Sequence, residues 1–192
     1  MKTKALGLLL TGALALPALA AIQPGAAAPD FVAQASLAGK AFTYSLKEAR
    51  AKGPVVVYFY PSAFTGGCNL QAHTFAINMD KFAAAGATVI GVSLDSIQRL
   101  NDFSADPDYC AGKLPVASDM GGSIAKSFDL MVTEGAPGRK DSRGMVIDHG
   151  FAERTTFIVS PAGKVLATIG GIAPDANVQK ALEVIQQLHA GK

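Results

Sequence analysis

The spacing of apolar and polar positions changes several times along the chain, and each change marks an element. Alternation through Phe31, Ala33 and Ala35, then Gly39-Lys40 and Phe42, has the two-residue period of strands joined by a tight turn, so a short hairpin is expected. Ser45, followed by Leu46, Glu48 and Ala49, reads as a helix start with Ser45 as N-cap and Glu48 as its capping-box partner. Gly53-Pro54 breaks that pattern. Val55 to Tyr60 is an unbroken apolar and aromatic run rich in β-branching, as in a strand covered on both faces. From about Cys68 to Ala85 the period becomes helical, with Phe75, Met79 and Phe82 on one stripe and Gly86 as the stop. Ala87 to Val92 reads as a second buried strand, and Asp95 as the cap of a helix running toward Asp106 and Pro107.

A short strand near Leu114 to Ala117 and a helix from about Gly122 to Phe128 follow. Thr133 to Gly144 is rich in glycine and charge and reads as an exposed loop. Thr155 to Val159 and Val165 to Ile169 flank the turn Ser160-Pro161-Ala162-Gly163, a hairpin. The last helix runs from about Asp175 to Leu188, with Val178, Leu182, Ile185 and Leu188 on one face. This succession predicts an α/β fold with a central mixed sheet, helices on both faces and an N-terminal β-hairpin extension.

The first residues do not share these patterns. Lys2 and Lys4 precede an uncharged apolar run from Ala5 to Leu16, then Pro17 and the small-residue stretch Ala18-Leu19-Ala20. That is the layout of a secretory signal peptide cleaved after Ala20, and the run is too short to span ~30 Å of hydrocarbon as an anchor. Residues 1–20 are thus expected to be a cleaved leader and residues 21–192 one domain, exported and most simply periplasmic. Without Lys2 and Lys4 the 17 Lys and Arg fall to 15 and match the 15 Asp and Glu, so the basic balance belongs to the leader. A mature domain with balanced charge and no basic cluster gives no case for nucleic acid or an anionic membrane surface.

Cys68 and Cys110 are the two cysteines of the chain, and both lie beyond the leader. In an oxidising compartment they form one structural disulfide, contributing about 4 kcal/mol, or they do chemistry. The neighbourhood of Cys68 favours chemistry. Tyr60-Pro-Ser-Ala-Phe-Thr-Gly-Gly-Cys68 leaves a buried strand, turns, and enters a helix at or near the cysteine. The unpaired N–H groups and positive dipole end of a first helical turn stabilise a thiolate, the nucleophilic form of the thiol. The Thr65 hydroxyl can donate and accept, the backbone N–H groups of Gly67 and Cys68 can serve as an oxyanion site, and Pro61 can shield the sulfur.

Pro61, Thr65 and Cys68 reproduce P-x-x-x-T-x-x-C, and Arg154 opens the later strand segment Arg154-Thr-Thr-Phe-Ile-Val-Ser-Pro-Ala-Gly-Lys164. On these residues the chain resembles the peroxiredoxin family, from Pro29-Asp30-Phe31 to the last helix, and within it the bacterioferritin-comigratory-protein or Q class. The resemblance implies a thioredoxin-like fold and a peroxidase whose Cys68 attacks the peroxide. Thr65 and Arg154 would bind the substrate beside the Gly67 N–H, and Arg154 would contact the sulfur as a permanent planar cation. It implies hydrogen peroxide or organic hydroperoxide as substrate, a thioredoxin-like protein or small thiol as reductant, no cofactor or metal, and a monomer or weak dimer.

The chain departs from that class just after the nucleophile. Many members carry C-T-x-E-A-C, whereas here Cys68-Asn-Leu-Gln-Ala-His73 puts His73 at the resolving position and Gln71 in place of the usual glutamate. Cys110 is the internal candidate to resolve a sulfenic acid, behind the breaker-rich approach Asp106-Pro107-Asp108-Tyr109; otherwise an outside thiol does so. His73 reads as a polar helix residue, and His149 and His189 as solvated. The 133–144 loop reads as ordinary surface, the alternative being that Arg139 or Arg143 borders the active-site mouth. A thiol–disulfide oxidoreductase would need C-x-x-C, but position 65 is Thr; a copper-delivery protein of similar fold would need C-x-x-x-C, but positions 64 and 72 are Phe and Ala.

Overall fold

The computed structural model describes residues 21–191, so the expected leader lies outside the described residues. A hairpin of β1 (Val32–Leu37) and β2 (Lys40–Ser45) leads into α1 (Leu46–Arg50). The Ser45 side chain accepts from the Glu48 N–H at 3.3 Å. Then come β3 (Val55–Phe59), α2 (Gly66–Ala84), β4 (Thr88–Ser93), α3 (Ile97–Ala105), β5 (Val116–Ser118) and α4 (Ser123–Ser127). The chain finishes with β6 (Val132–Thr133), β7 (Phe151–Ala152), β8 (Thr155–Val159), β9 (Val165–Gly170) and α5 (Pro174–Ala190).

Seven strands form one mixed sheet in the order β2-β1-β5-β4-β3-β8-β9. β3, β4 and β5 run parallel, and the flanking pairs are antiparallel. Alternation along β3 sends Val56 and Tyr58 into a core shared with α2, α3 and α5, and Val55, Val57 and Phe59 into a second core under α1 and α4. Helices therefore cover both faces, as the continuous apolar run of β3 requires. Gly91 lies opposite Tyr58 in the parallel pair, and a Cβ there would sit 2.6 Å from the phenol oxygen, so only glycine admits the ring.

α2 begins at Gly66, so Cys68 lies in its first turn. Two expectations need correction. Ser96, not Asp95, caps α3, its hydroxyl accepting from the Arg99 N–H at 3.3 Å. Asp95 has no exposed side-chain surface and is engaged elsewhere. Residues 133–144 are not simply an exposed loop. β6 and β7 pair into a two-stranded sheet at its base, and Asp141 and the following Ile147 are buried.

Candidate active site

The site lies at the C-terminal end of β3, where the chain crosses to α2. β8 pairs antiparallel with β3, Phe59 opposite Thr155, so the residue before β8 stands beside the residues after β3. That register brings Arg154 to the start of α2 across 86 positions of sequence, its Nη2 donating to Cys68 Sγ at 3.3 Å. Cys68 is 2 % exposed. Asn69 N–H makes the first helical bond, to Thr65 O at 2.8 Å, so the N–H groups of Gly66, Gly67 and Cys68 are those a helix leaves unpaired. Thr65 is the N-cap by position, yet its hydroxyl donates to Ser62 O at 2.8 Å, which leaves its lone pairs as acceptors for a ligand. A Cβ on Gly67 would lie 3.3 Å from both Arg154 Nη2 and Pro174 Cγ, so glycine lets the guanidinium close on the sulfur. Pro61 is half-buried at the mouth of the turn.

Arg154 is aimed by amides. Its Nη1 donates to Gln71 Oε1, one turn after Cys68. Gln71 Nε2 donates to Asn177 Oδ1 at 3.1 Å, the same oxygen accepts from Thr156 Oγ1 at 2.6 Å, and Asn177 Nδ2 donates to Ile169 O at 2.9 Å. Gln71 and Asn177 are fully buried, and these bonds fix which way each amide faces. Among the described residues no carboxylate pairs with Arg154. A cation held by neutral dipoles keeps its charge available to the sulfur.

A second polar assembly grips the turn from its other side. Asp95 Oδ2 accepts from Ala63 N–H at 2.8 Å and Ser93 Oγ at 2.7 Å, while Oδ1 accepts from Ser62 Oγ at 3.0 Å. His149 Nε2 is 2.8 Å from Oδ1, and Arg99 Nε stands 2.8 Å from the same oxygen as an ion pair. Arg99 Nη2 also donates to Ala63 O at 2.9 Å and pairs with Asp141 at 2.8 Å. The Ser142 N–H and hydroxyl both donate to Phe64 O at 2.9 Å, and Arg143 lies over the Phe64 ring, 3.2 Å from its centroid. Arg143 thus packs on the turn that precedes α2, and Arg139 stacks on Phe151 instead. The expectation of a solvated His149 fails, because its side chain is 11 % exposed. Asp95, His149 and Asn177 carry no local signal of these roles; their partners are distant in sequence.

Cys110 is fully buried in the core that also holds Cys68, Tyr58 and Tyr60, and both cysteines are free. Burial, with the Asp106 carboxylate nearby, pushes its thiol far above the ordinary range. Burial likewise raises Tyr58, whose phenol lies near enough to both sulfurs to be raised further by either thiolate. His73 is exposed and its Nδ1 is 3.0 Å from Asp108 O, linking α2 to the segment that carries Cys110. His189 is exposed near the end of α5.

Residues 24–168 match the model of the AhpC/TSA family. Peroxiredoxin Bcp of Xanthomonas campestris pv. campestris is 32% identical over 124 residues, 65% of this chain and 71% of the relative. The chloroplastic peroxiredoxin Q of Oryza sativa subsp. japonica is 37% identical over 174 residues, 87% of this chain and 68% of the relative. Among solved structures, peroxidoxin BcpB from Mycobacterium tuberculosis superposes with a TM-score of 0.71 at 27% identity, covering 86% of this chain and 97% of that one. With a mixed sheet flanked by helices and an arginine on a helix-start cysteine, these likenesses mean that the chain belongs to the AhpC/TSA family, as a peroxiredoxin of the Bcp/Q class, and is a thiol-dependent peroxidase.

Proposed function

We propose that this chain reduces hydrogen peroxide or an organic hydroperoxide at Cys68, and that Cys110 resolves the product. The carrying observation is the Arg154 guanidinium 3.3 Å from Sγ in the first turn of α2. The Cys68 thiolate takes the terminal oxygen of the peroxide, the O–O bond breaks, and the leaving hydroxide or alkoxide gains a proton. Sulfur is oxidised to sulfenic acid and the peroxide is reduced to water or alcohol. Arg154 and the first-turn N–H groups receive the charge that develops on oxygen, and Thr65 accepts a hydrogen bond from the peroxide. No cofactor enters this cycle.

Cys110 then attacks the sulfenic sulfur; an S–S bond forms, the S–O bond breaks and water leaves. A buried thiol held in its neutral form is a poor nucleophile where it sits, so resolution requires the Cys110 segment to open. Support for that opening comes from Ala111 (φ 52) next to Cys110 and Phe64 (φ 58) near Cys68, both non-glycine residues in the left-handed region, at about 1–2 kcal/mol each. A thioredoxin-like protein or a small thiol returns the bridge to two thiols. Residues 1–20 direct export, most simply to the periplasm, and the mature chain works as a monomer or weak dimer.

Stoichiometric peroxide followed by intact-mass measurement tests the cycle. The wild type should lose two hydrogens, and Cys110→Ser should gain one oxygen. One added oxygen in both proteins would remove Cys110 from the cycle, and an unmodified Cys68 in both would remove the peroxidase reading.

A further inference from the structure

We propose that Asp95, clamped by His149 and Arg99, is the positioning residue that keeps residues 62–65 in the conformation Cys68 chemistry uses, and that His149 makes the clamp pH-sensitive. The effect on catalysis rests on the peroxidase reading; the clamp itself does not.

The turn does not hold its own shape. Phe64 sits at φ 58, a region that non-glycine residues avoid, and the peptide groups of Ala63 and Phe64 take their bonds from outside the turn. Ala63 donates its N–H to Asp95 and accepts at its carbonyl from Arg99, while Phe64 O takes both bonds from Ser142. Ser62 is gripped through its hydroxyl by Asp95, and its carbonyl receives the Thr65 hydroxyl. Asp95 therefore reaches the substrate-binding threonine through one residue.

His149 has an acceptor on each ring nitrogen. Nε2 faces Asp95 Oδ1 at 2.8 Å and Nδ1 faces Gly150 O at 2.7 Å. A neutral imidazole carries one N–H, so both contacts together require the imidazolium. Loss of the proton turns a lone pair on one of these oxygens, and that contact breaks. Burial alone would lower the pKa of His149, but the hydrogen bond from His149 to Asp95 and the charge of that carboxylate outweigh it and raise the value. The groups facing the ring are Asp95 beyond β4 and Arg99 on α3, with Glu134 and Asp148 lining the cleft outside it. A raised histidine gives a clamp complete below the ordinary histidine range and lost as pH rises through the folded value.

His149→Gln keeps a donor toward Asp95 and removes the charge. In the reduced protein, amide exchange of Ala63, corrected for its intrinsic pH dependence, should speed up about tenfold at pH 6 while Val92 in β4 stays protected. The rate of Cys68 oxidation by hydrogen peroxide, variant over wild type, should rise from about one tenth at pH 6 toward one as pH climbs through the folded value of His149, above which the wild type has lost the charge too. A ratio independent of pH, unchanged Ala63 exchange, or equal acceleration at Val92 would overturn the proposal. A wild-type Cys68 that takes no oxygen from peroxide would defeat the peroxidase reading instead, and the exchange measurement would still decide the clamp.

Discussion

Cys68 and Cys110 lie in one apolar core and are almost equally hidden from water, yet their surroundings are opposite. Cys68 has a guanidinium at 3.3 Å and the start of a 19-residue helix around it. Cys110 has an apolar wall and a carboxylate, and its thiol is driven away from ionisation. Burial by itself disfavours a thiolate, and a fixed cation held against a buried sulfur opposes that penalty. The sharpest break of the comparison is Cys68→Ser. With Cys110 intact, peroxide turnover should fall by at least about a thousandfold, since a serine hydroxyl is not ionised near neutrality. Residual turnover above that level, in a coupled thiol-oxidation assay, would mean that Cys110 can take over.

Arg154 tests the cationic half of the contrast. Arg154→Met removes a donor aimed at the reacting atoms and should lower the rate of Cys68 oxidation about a hundredfold. Arg154→Lys should recover little of it, because an ammonium cannot bond the sulfur and Gln71 with one planar group. A lysine variant within a few-fold of wild type in rapid-quench measurements would show that charge alone suffices.

Gln71→Glu asks whether the neutrality of the amide relay matters. A carboxylate there would pair with Arg154 and draw its charge from the sulfur, while leaving Asn177 Oδ1 opposed to a like acceptor. The oxidation rate should fall about tenfold with the fold intact by circular dichroism. An unchanged rate would mean that the relay only orients the arginine.

The extent to which the sequence announces these features follows the distance over which each is built. β3 and α2 are legible because their apolar patterns are local, continuous in one and helically spaced in the other. Arg154 is readable as part of a known motif, and the pairing of Phe59 with Thr155 explains physically why a residue so far along the chain meets Cys68. Asp95 misleads because an acid one residue before Ser96 is as good a local cap signal as the serine itself. Its true partners, Ala63 and His149, come from segments 32 and 54 positions away. His149 lies in a loop and so reads as solvated, and the β6–β7 pair that frames that loop is only two residues long in each strand, below what periodicity can reveal.

Cys110→Ser is the mildest change, and it isolates what the second sulfur does. The first oxidation of Cys68 should stay within about twofold of wild type, because Cys110 is neutral and makes no bond to Arg154, Thr65 or the start of α2. Stability should move more than this rate does. A hydroxyl in the apolar space of a thiol needs a partner that this core was not built to give, so the variant should unfold about 1–3 kcal/mol more easily in urea. Loss of the first oxidation step together with unchanged stability would reverse the assignment of roles, placing Cys110 in peroxide chemistry rather than behind it. The expected pairing, an intact first step on a weakened core, would confine Cys110 to events after oxygen transfer and leave the difference between the two sulfurs to the cation that only one of them has.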